Sequence, residues 1–396
     1  MELANRLAYI NEPQTIAMAK MGRELAAAGH DVISLSLGEP DFVTPAHIVE
    51  AAKKAMDDGF TFYTPVAGFP ELKQAICHKL QRDNNLIYNP ENILVSTGAK
   101  QSIMNVVMAV INPGDEVIIP TPYWVSYSEM VKLMEGIPVF IKSTVEQNYK
   151  INASQLEAAI TPKTKAFMFS SPCNPTGSVY SHDELRALAE VFAKYPHITI
   201  LSDEIYEYIN FTGKHESIAQ FDAIKNQVVV INGMSKGYAM TGWRIGYIAA
   251  NADVVKAADK IQGQYTSGTN AIAQRASIAA LNGPLAPTLA MQTAYHRRRD
   301  LVIAGLKQIE GLVCNMPEGA FYAFPDISYF LGKSYNGQTI KTATDLCMYI
   351  LNTVYVSMVT GEAFGAPSCV RISYATSDEK LIEALKRIKQ ALEQLA

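Results

Sequence analysis

Residues 228–250 read VVVINGMSKGYAMTGWRIGYIAA. Val228-Val229-Val230-Ile231 is a short β-branched apolar run that leads into the turn Asn232-Gly233-Met234-Ser235-Lys236. Only about seven residues separate Lys236 from the next strand-like run, Arg244 to Ala250, and a parallel crossover needs about a dozen or more. The spacing therefore predicts an antiparallel pair. Upstream the same order recurs with room for a helix after each turn. Ile93-Leu94-Val95 leads into Ser96-Thr97-Gly98-Ala99-Lys100, and Glu116-Val117-Ile118-Ile119 into Pro120-Thr121-Pro122-Tyr123-Trp124. Ala166-Phe167-Met168-Phe169 leads into Ser170-Ser171-Pro172-Cys173-Asn174-Pro175-Thr176-Gly177, and Ile198-Thr199-Ile200-Leu201 into Ser202-Asp203-Glu204-Ile205-Tyr206. Near-continuous apolar strands alternating with helices form a mostly parallel sheet covered on both faces. The expected fold class is α/β, with a mixed, mostly parallel sheet sandwiched by helices.

The two ends of the chain differ from this middle. A helical stretch, Gln14 to Ala28, precedes a strand, Val32 to Leu37, closed by Gly38-Glu39-Pro40. After about Met291 comes a long helix carrying His296-Arg297-Arg298-Arg299, expected as a solvated face, then short strands near Phe321–Phe324, Val354–Met358 and Val370–Ser373. The last helix, Ser377 to Leu395, repeats apolar residues at helical spacing. The expected organisation is a large domain over residues 46–290, and a smaller discontinuous α+β domain built from 1–45 and 291–396.

Composition narrows the function. The 396 residues are 48% hydrophobic, enough for a sizeable core. Charged residues are 18%, below the ~25% usual for soluble domains, which leaves surface to bury between subunits. A net charge of -4 argues against a nucleic-acid partner. The five scattered cysteines fit reduced thiols of a cytoplasmic protein, and the N-terminus lacks the apolar core of a signal peptide. Ala276 to His296 is uncharged, but Asn282, Gly283, Pro284 and Pro287 interrupt it, so no membrane span is expected. The seven histidines never fall at zinc-ligand spacing, and no metal is expected. Neither G-x-G-x-x-G after the first strand nor a phosphate loop of the form G-x4-G-K-[ST] is found.

Ligands of open α/β sheets bind beyond the carboxyl ends of the strands. Those ends carry Gly98 and Lys100, Trp124, Asn174, Asp203 and Tyr206, and Lys236. An amine, a carboxylate, a phenol, an amide and an aromatic plane converge there, as a planar, phosphorylated heteroaromatic ligand requires. Pyridoxal 5'-phosphate fits: its aldehyde needs an amine, Lys236, and its electron sink works best with a carboxylate on the ring nitrogen, Asp203. Tyr206 and Asn174 can donate to the ring oxygen, and Trp124 can cover the ring face. Gly98-Ala99-Lys100, opening a helix, can hold the phosphate, with Ser235 and Arg244 adding a hydroxyl and a guanidinium.

These segments resemble the class I/II aminotransferases, the aspartate-aminotransferase-like enzymes of pyridoxal-phosphate fold type I. The resemblance rests on Ser235-Lys236-x5-Gly242-Trp243-Arg244-Ile245-Gly246-Tyr247, Ser171-Pro172-x-Asn174-Pro175-Thr176-Gly177 and Asp203-Glu204-x-Tyr206. Gly38-Glu39-Pro40-Asp41-Phe42, Tyr63-Thr64-x3-Gly68 and Val370-Arg371-Ile372-Ser373 extend it over essentially the whole chain. It implies that Lys236 is the Schiff-base lysine and the base that moves the substrate's α-proton. Arg371 is implied as the clamp for the substrate α-carboxylate, with Gly38, Trp124 and Asn174 lining that side. Tyr63 resembles a tyrosine that reaches the phosphate of the neighbouring subunit, which implies a homodimer with shared active sites. Gly38 and Arg371 lie in the terminal segments, so domain closure would assemble the site.

Lys100 and Thr15 resemble the bacterial and plant subgroup that acts on aspartate, some members of which accept prephenate and glutamate. The implied reaction is ping-pong transfer from L-aspartate to 2-oxoglutarate, the partners being amino acids and 2-oxo acids. An aminotransferase for alanine or aromatic substrates, or a C–S lyase, shares the same scaffold.

Overall fold

The structure is a computed structural model that describes residues 3–10 and 14–396, the side chains of residues 14–16 excepted. A short strand, β1 (Ile33–Ser34), precedes the central sheet. That sheet comprises β2 (Ile93–Ser96), β3 (Glu116–Thr121), β4 (Ile137–Lys142), β5 (Thr164–Ser170), β6 (Thr199–Asp203), β7 (Val228–Gly233) and β8 (Gly246–Ala249), in the order β2-β8-β7-β6-β5-β3-β4. All pairings are parallel except those of β8, which runs antiparallel to both β7 and β2. The short spacing after Lys236 has the expected result.

The strands are apolar on both sides because both sides are covered. Val228 and Val230 join one buried cluster with Ile93, Val95, Phe167, Ile200 and Tyr247. Val229 and Ile231 join another with Leu94, Val117, Met168, Leu201 and Ile248. This alternation is the period of two of a strand. Helices Ala46–Asp57, Pro70–Asn84 and Ala271–Asn282 cover the first face, and Ala99–Val110 and Ala252–Tyr265 the second.

Strand β4 is absent from the sequence-based expectation. It is an edge strand, it contains Pro138, and Ile137 and Phe140 remain exposed, so it lacks a continuous apolar run. The strand expected from Arg244 begins instead at Gly246, because Arg244 has a left-handed backbone, φ 58°.

The two chain ends meet. β1 pairs in parallel with β12 (Val356–Ser357), Ile33 opposite Val356. Between them lie β9 (Tyr322–Ala323) and a hairpin, β10 (Ser334–Tyr335) with β11 (Gln338–Thr339). β13 (Val359–Thr360) and β14 (Val370–Ser373) form an antiparallel sheet with β9 in the order β13-β14-β9. A separate buried cluster joins Met18, Ile33 and Leu35 to Val302, Leu346, Ile372 and Leu385. The long helix Ala286–Leu306 crosses position 290/291, and its arginines are not a solvated face. Arg298 and Arg299 are buried; Arg299 Nη1 donates to the Pro317 carbonyl, 2.6 Å away. Arg297 alone of the three is largely exposed, and it pairs with Asp378. No helix among the described residues is long and apolar enough to cross a membrane.

Candidate active site

A cleft with a volume of ≈ 410 Å³ opens at the carboxyl ends of the parallel strands. Gly38, Ala99, Lys100, Trp124, Asn174, Asp203, Tyr206, Ser235, Lys236, Arg244 and Arg371 all line it. Gly98 is the residue before its helix wall, at the N-cap of Ala99–Val110. Tyr63 lies elsewhere, fully exposed beside a second open cleft with Phe60, Phe62 and Asn270. The side chain of Thr15 lies outside the described residues.

Lys236 follows β7, and its Nζ donates to the carbonyl of Gly38, so the segment after β1 touches the amine. Burial pushes its ammonium down to about 8; the Arg371 and Arg244 cations add to this, and Glu39 and Asp203 oppose it. The free base is thereby available near neutral pH.

Asp203, the last residue of β6, is 5% exposed. Its Oδ2 accepts from the Tyr127 hydroxyl at 2.7 Å and its Oδ1 from the Ile205 amide at 3.3 Å. Burial raises the carboxyl to about 6, while these two donors hold it lower than burial alone would. Sequence reasoning missed Tyr127. The available signal was its position three residues after Trp124, one turn along the chain at a helix start; the two rings meet edge to face at 5.5 Å.

Arg371, on β14, is 2% exposed. Its Nη1 donates to Asn174 Oδ1 at 3.0 Å and its Nη2 to the Ser36 carbonyl at 2.7 Å, while Nε has no partner. No acidic group among the described residues pairs with it. The guanidinium lies 4.5 Å from the centre of the Tyr322 ring and 5.0 Å from that of Phe364. Tyr322, also missed, shares a 2.7 Å hydrogen bond with Tyr206. A buried cation held by neutral acceptors and rings costs solvation free energy that an anionic ligand restores.

Also lining the cleft, Lys100 Nζ sits 5.0 Å from the centre of the Trp124 ring, and burial together with nearby Arg244 lowers its ammonium below the ordinary value. Gly98 has φ 84°, and a Cβ there would collide with the Arg244 guanidinium. Only glycine leaves this close approach between the helix start and Arg244.

The donor set fits pyridoxal 5'-phosphate. Lys236 would hold the aldehyde and Asp203 the ring nitrogen. Ser235, Arg244 and the amides that open Ala99–Val110 would hold the phosphate, and Trp124 would cover the ring. Away from the cleft, Glu204, Glu207 and His215 converge, but Lys79 pairs with Glu207 and His215 Nε2 lies 2.9 Å from Glu204, so these groups already have partners.

Fold and cleft together define an enzyme of pyridoxal-phosphate fold type I. The chain belongs to the aminotransferases of class I and II, whose family model matches residues 30–388. It is 47% identical over 392 residues to a probable aspartate/prephenate aminotransferase of Rhizobium leguminosarum bv. phaseoli, covering 98% of each chain. It is 46% identical over 395 residues to an aspartate aminotransferase of Bacillus subtilis, covering 99% of each. The crystal structure of the aspartate aminotransferase from Rhizobium meliloti superimposes with a TM-score of 0.97 at 45% identity, covering 100% of both chains.

Proposed function

We propose that this enzyme moves the amino group of L-aspartate to 2-oxoglutarate in two half-reactions, leaving oxaloacetate and L-glutamate, with prephenate as a further amino acceptor. The carrying observation is that, besides Lys236 and Arg244, the cleft holds two further cations, Arg371 and Lys100, neither bonded to a carboxylate among the described residues. A dicarboxylic amino acid supplies one carboxylate to each. The names of the relatives, aspartate and aspartate/prephenate aminotransferases, support the same substrate.

Arg371 takes the α-carboxylate in a bidentate grip and fixes the α-carbon toward Lys236. The Lys236 amine, whose burial brings a free-base fraction within reach near neutral pH, takes the α-proton and returns it on the other side of the exchange. Asp203, raised to about 6, is largely ionised at pH 7 and would hold the ring nitrogen. Pyridoxal 5'-phosphate, when bound, supplies the electron sink for the pair left at the α-carbon. Lys100 receives the distal carboxylate.

The chain divides into a large domain, 46–290, and a small one from 1–45 and 291–396, a division supported by the pairing of β1 with β12. It acts in the cytoplasm as a homodimer in which Tyr63, exposed on its own subunit, completes the neighbour's cleft. A panel of amino donors against 2-oxoglutarate and prephenate tests the activity. Aspartate should lead the panel; no oxaloacetate from aspartate would overturn the reading. Sedimentation equilibrium tests the dimer, and a monomer at micromolar concentration would refute it.

A further inference from the structure

The segment Gly38–Thr44 touches the Lys236 loop at three points. The Gly38 carbonyl accepts from Lys236 Nζ, the Glu39 carboxylate from the Thr241 hydroxyl, and Thr44 Oγ1 donates to the Ala239 carbonyl at 2.8 Å while accepting from Trp243 Nε1 at 3.0 Å. Between these points Asp41 turns the other way. Its Oδ1 accepts from Arg298 Nη1 at 2.8 Å, and Phe42 meets Tyr295, on the same helix as Arg298, edge to face at 5.5 Å. The Arg298 side chain is only 8% exposed, and its Nε reaches Asp378 Oδ1 at 3.3 Å, at the start of the last helix. Its guanidinium also lies 5.3 Å from the centre of the Phe42 ring.

We propose that Arg298 is a positioning residue for Lys236, acting through Asp41 to seat the Gly38 carbonyl against the lysine amine. The inference rests on the proposed role of Lys236. A pair of charges with good geometry and a ring against the cation is directional, so it selects one orientation of the Asp41 backbone where an apolar contact selects none. The fixed piece is short: only Glu39 and Pro40 lie between the anchored Asp41 and Gly38. The amine therefore meets an oriented acceptor that favours its charged form. The other groups facing Lys236 are Arg371, Arg244, Glu39 and Asp203, with the rings of Tyr206 and Phe321 each 5.7 Å away. None of these contacts Arg298.

The rate at which the chain, stripped of cofactor, captures added pyridoxal 5'-phosphate reports the free-base fraction of Lys236 as pH is varied. In Asp41→Asn and Arg298→Met the capture midpoint should fall by roughly half a pH unit or more, because the ammonium loses its acceptor. Arg298→Lys should restore part of the shift. Asp378→Asn removes the other partner of Arg298; it should lower Tm and leave the midpoint at the wild-type value. A wild-type midpoint in Asp41→Asn, or an equal shift in Asp378→Asn, overturns the proposal by making the contact a general brace. Should Arg298→Met fail to fold, Asp41→Asn decides. A wild type that captures no cofactor at any pH would break the proposed function and this inference with it. Normal wild-type capture with unmoved variants overturns this inference alone.

Discussion

The Tyr127 hydroxyl donates a 2.7 Å hydrogen bond to Asp203 Oδ2, joining the helix start after β3 to the end of β6 beneath the cleft. This bond lowers a carboxyl that burial has raised to about 6. In Tyr127→Phe the carboxyl rises further, by roughly half to one unit. The ionised form is the active one, so the acidic limb of the kcat/KM–pH profile should move up by that amount with the alkaline limb unmoved. The folded value lies above the ordinary 3.8, so ionisation costs the native state stability as pH rises from about 4 through 6. The variant's further Tm deficit should therefore open from about pH 6 up to its own higher value and close below pH 6. An unmoved acidic limb would remove Tyr127 from this role.

Lys236→Ala deletes the amine that moves the α-proton. Transamination should fall by roughly four orders of magnitude or more, while equilibrium dialysis still detects cofactor held by Asp203, Ser235 and Arg244. Sustained turnover in this variant would mean another amine does the chemistry.

Arg371→Lys keeps the charge and loses the fork. Lysine cannot reach Asn174, the Ser36 carbonyl and a bidentate carboxylate together. The loss is about 2–3 kcal/mol, roughly a 100-fold rise in KM for every amino donor. Steady-state kinetics with aspartate and alanine check it, and a rise confined to aspartate would assign Arg371 to the distal carboxylate instead.

Lys100→Ala separates the two carboxylates of the substrate. Aspartate activity should drop by roughly fivefold or more while alanine activity changes little, since an incompletely desolvated ion pair is worth about 1 kcal/mol or somewhat more. Equal losses for the two donors would contradict a distal-carboxylate contact.

Gly98→Ala puts a methyl into the Arg244 guanidinium and forces a left-handed backbone on alanine. The backbone cost alone is about 1–2 kcal/mol. Calorimetry should show a lower Tm, and cofactor titration a weaker affinity; a variant equal to wild type in both would show that the helix start is free to move.

Much of this architecture is written locally. The runs at Ile93, Glu116, Ala166, Thr199 and Val228 announce their strands because both sheet faces are covered, and the residues after them line one cleft by topology alone. β4 escapes because an edge strand tolerates Pro138 and exposed Phe140. Tyr127 and Tyr322 escape for another reason: their roles are single hydrogen bonds, to Asp203 and Tyr206, across 76 and 116 residues of chain. The buried arginines of Ala286–Leu306 mislead because a basic triplet resembles a solvated face until its partners, Asp41, Asp378 and the Pro317 carbonyl, are in view.

The antiparallel course of β8 sets a dimension. β8 starts where β7 stops, with Gly246 opposite Gly233, so both ends of the arch between them sit on the same rim of the sheet. Lys236 and Arg244 are therefore the two jaws of one caliper, and its gap is set first by the number of residues in the arch. A molecule with an aldehyde at one end and a phosphate at the other is measured by that gap. Lengthening the arch by a single residue would change which molecule it gauges and leave the strands on either side untouched.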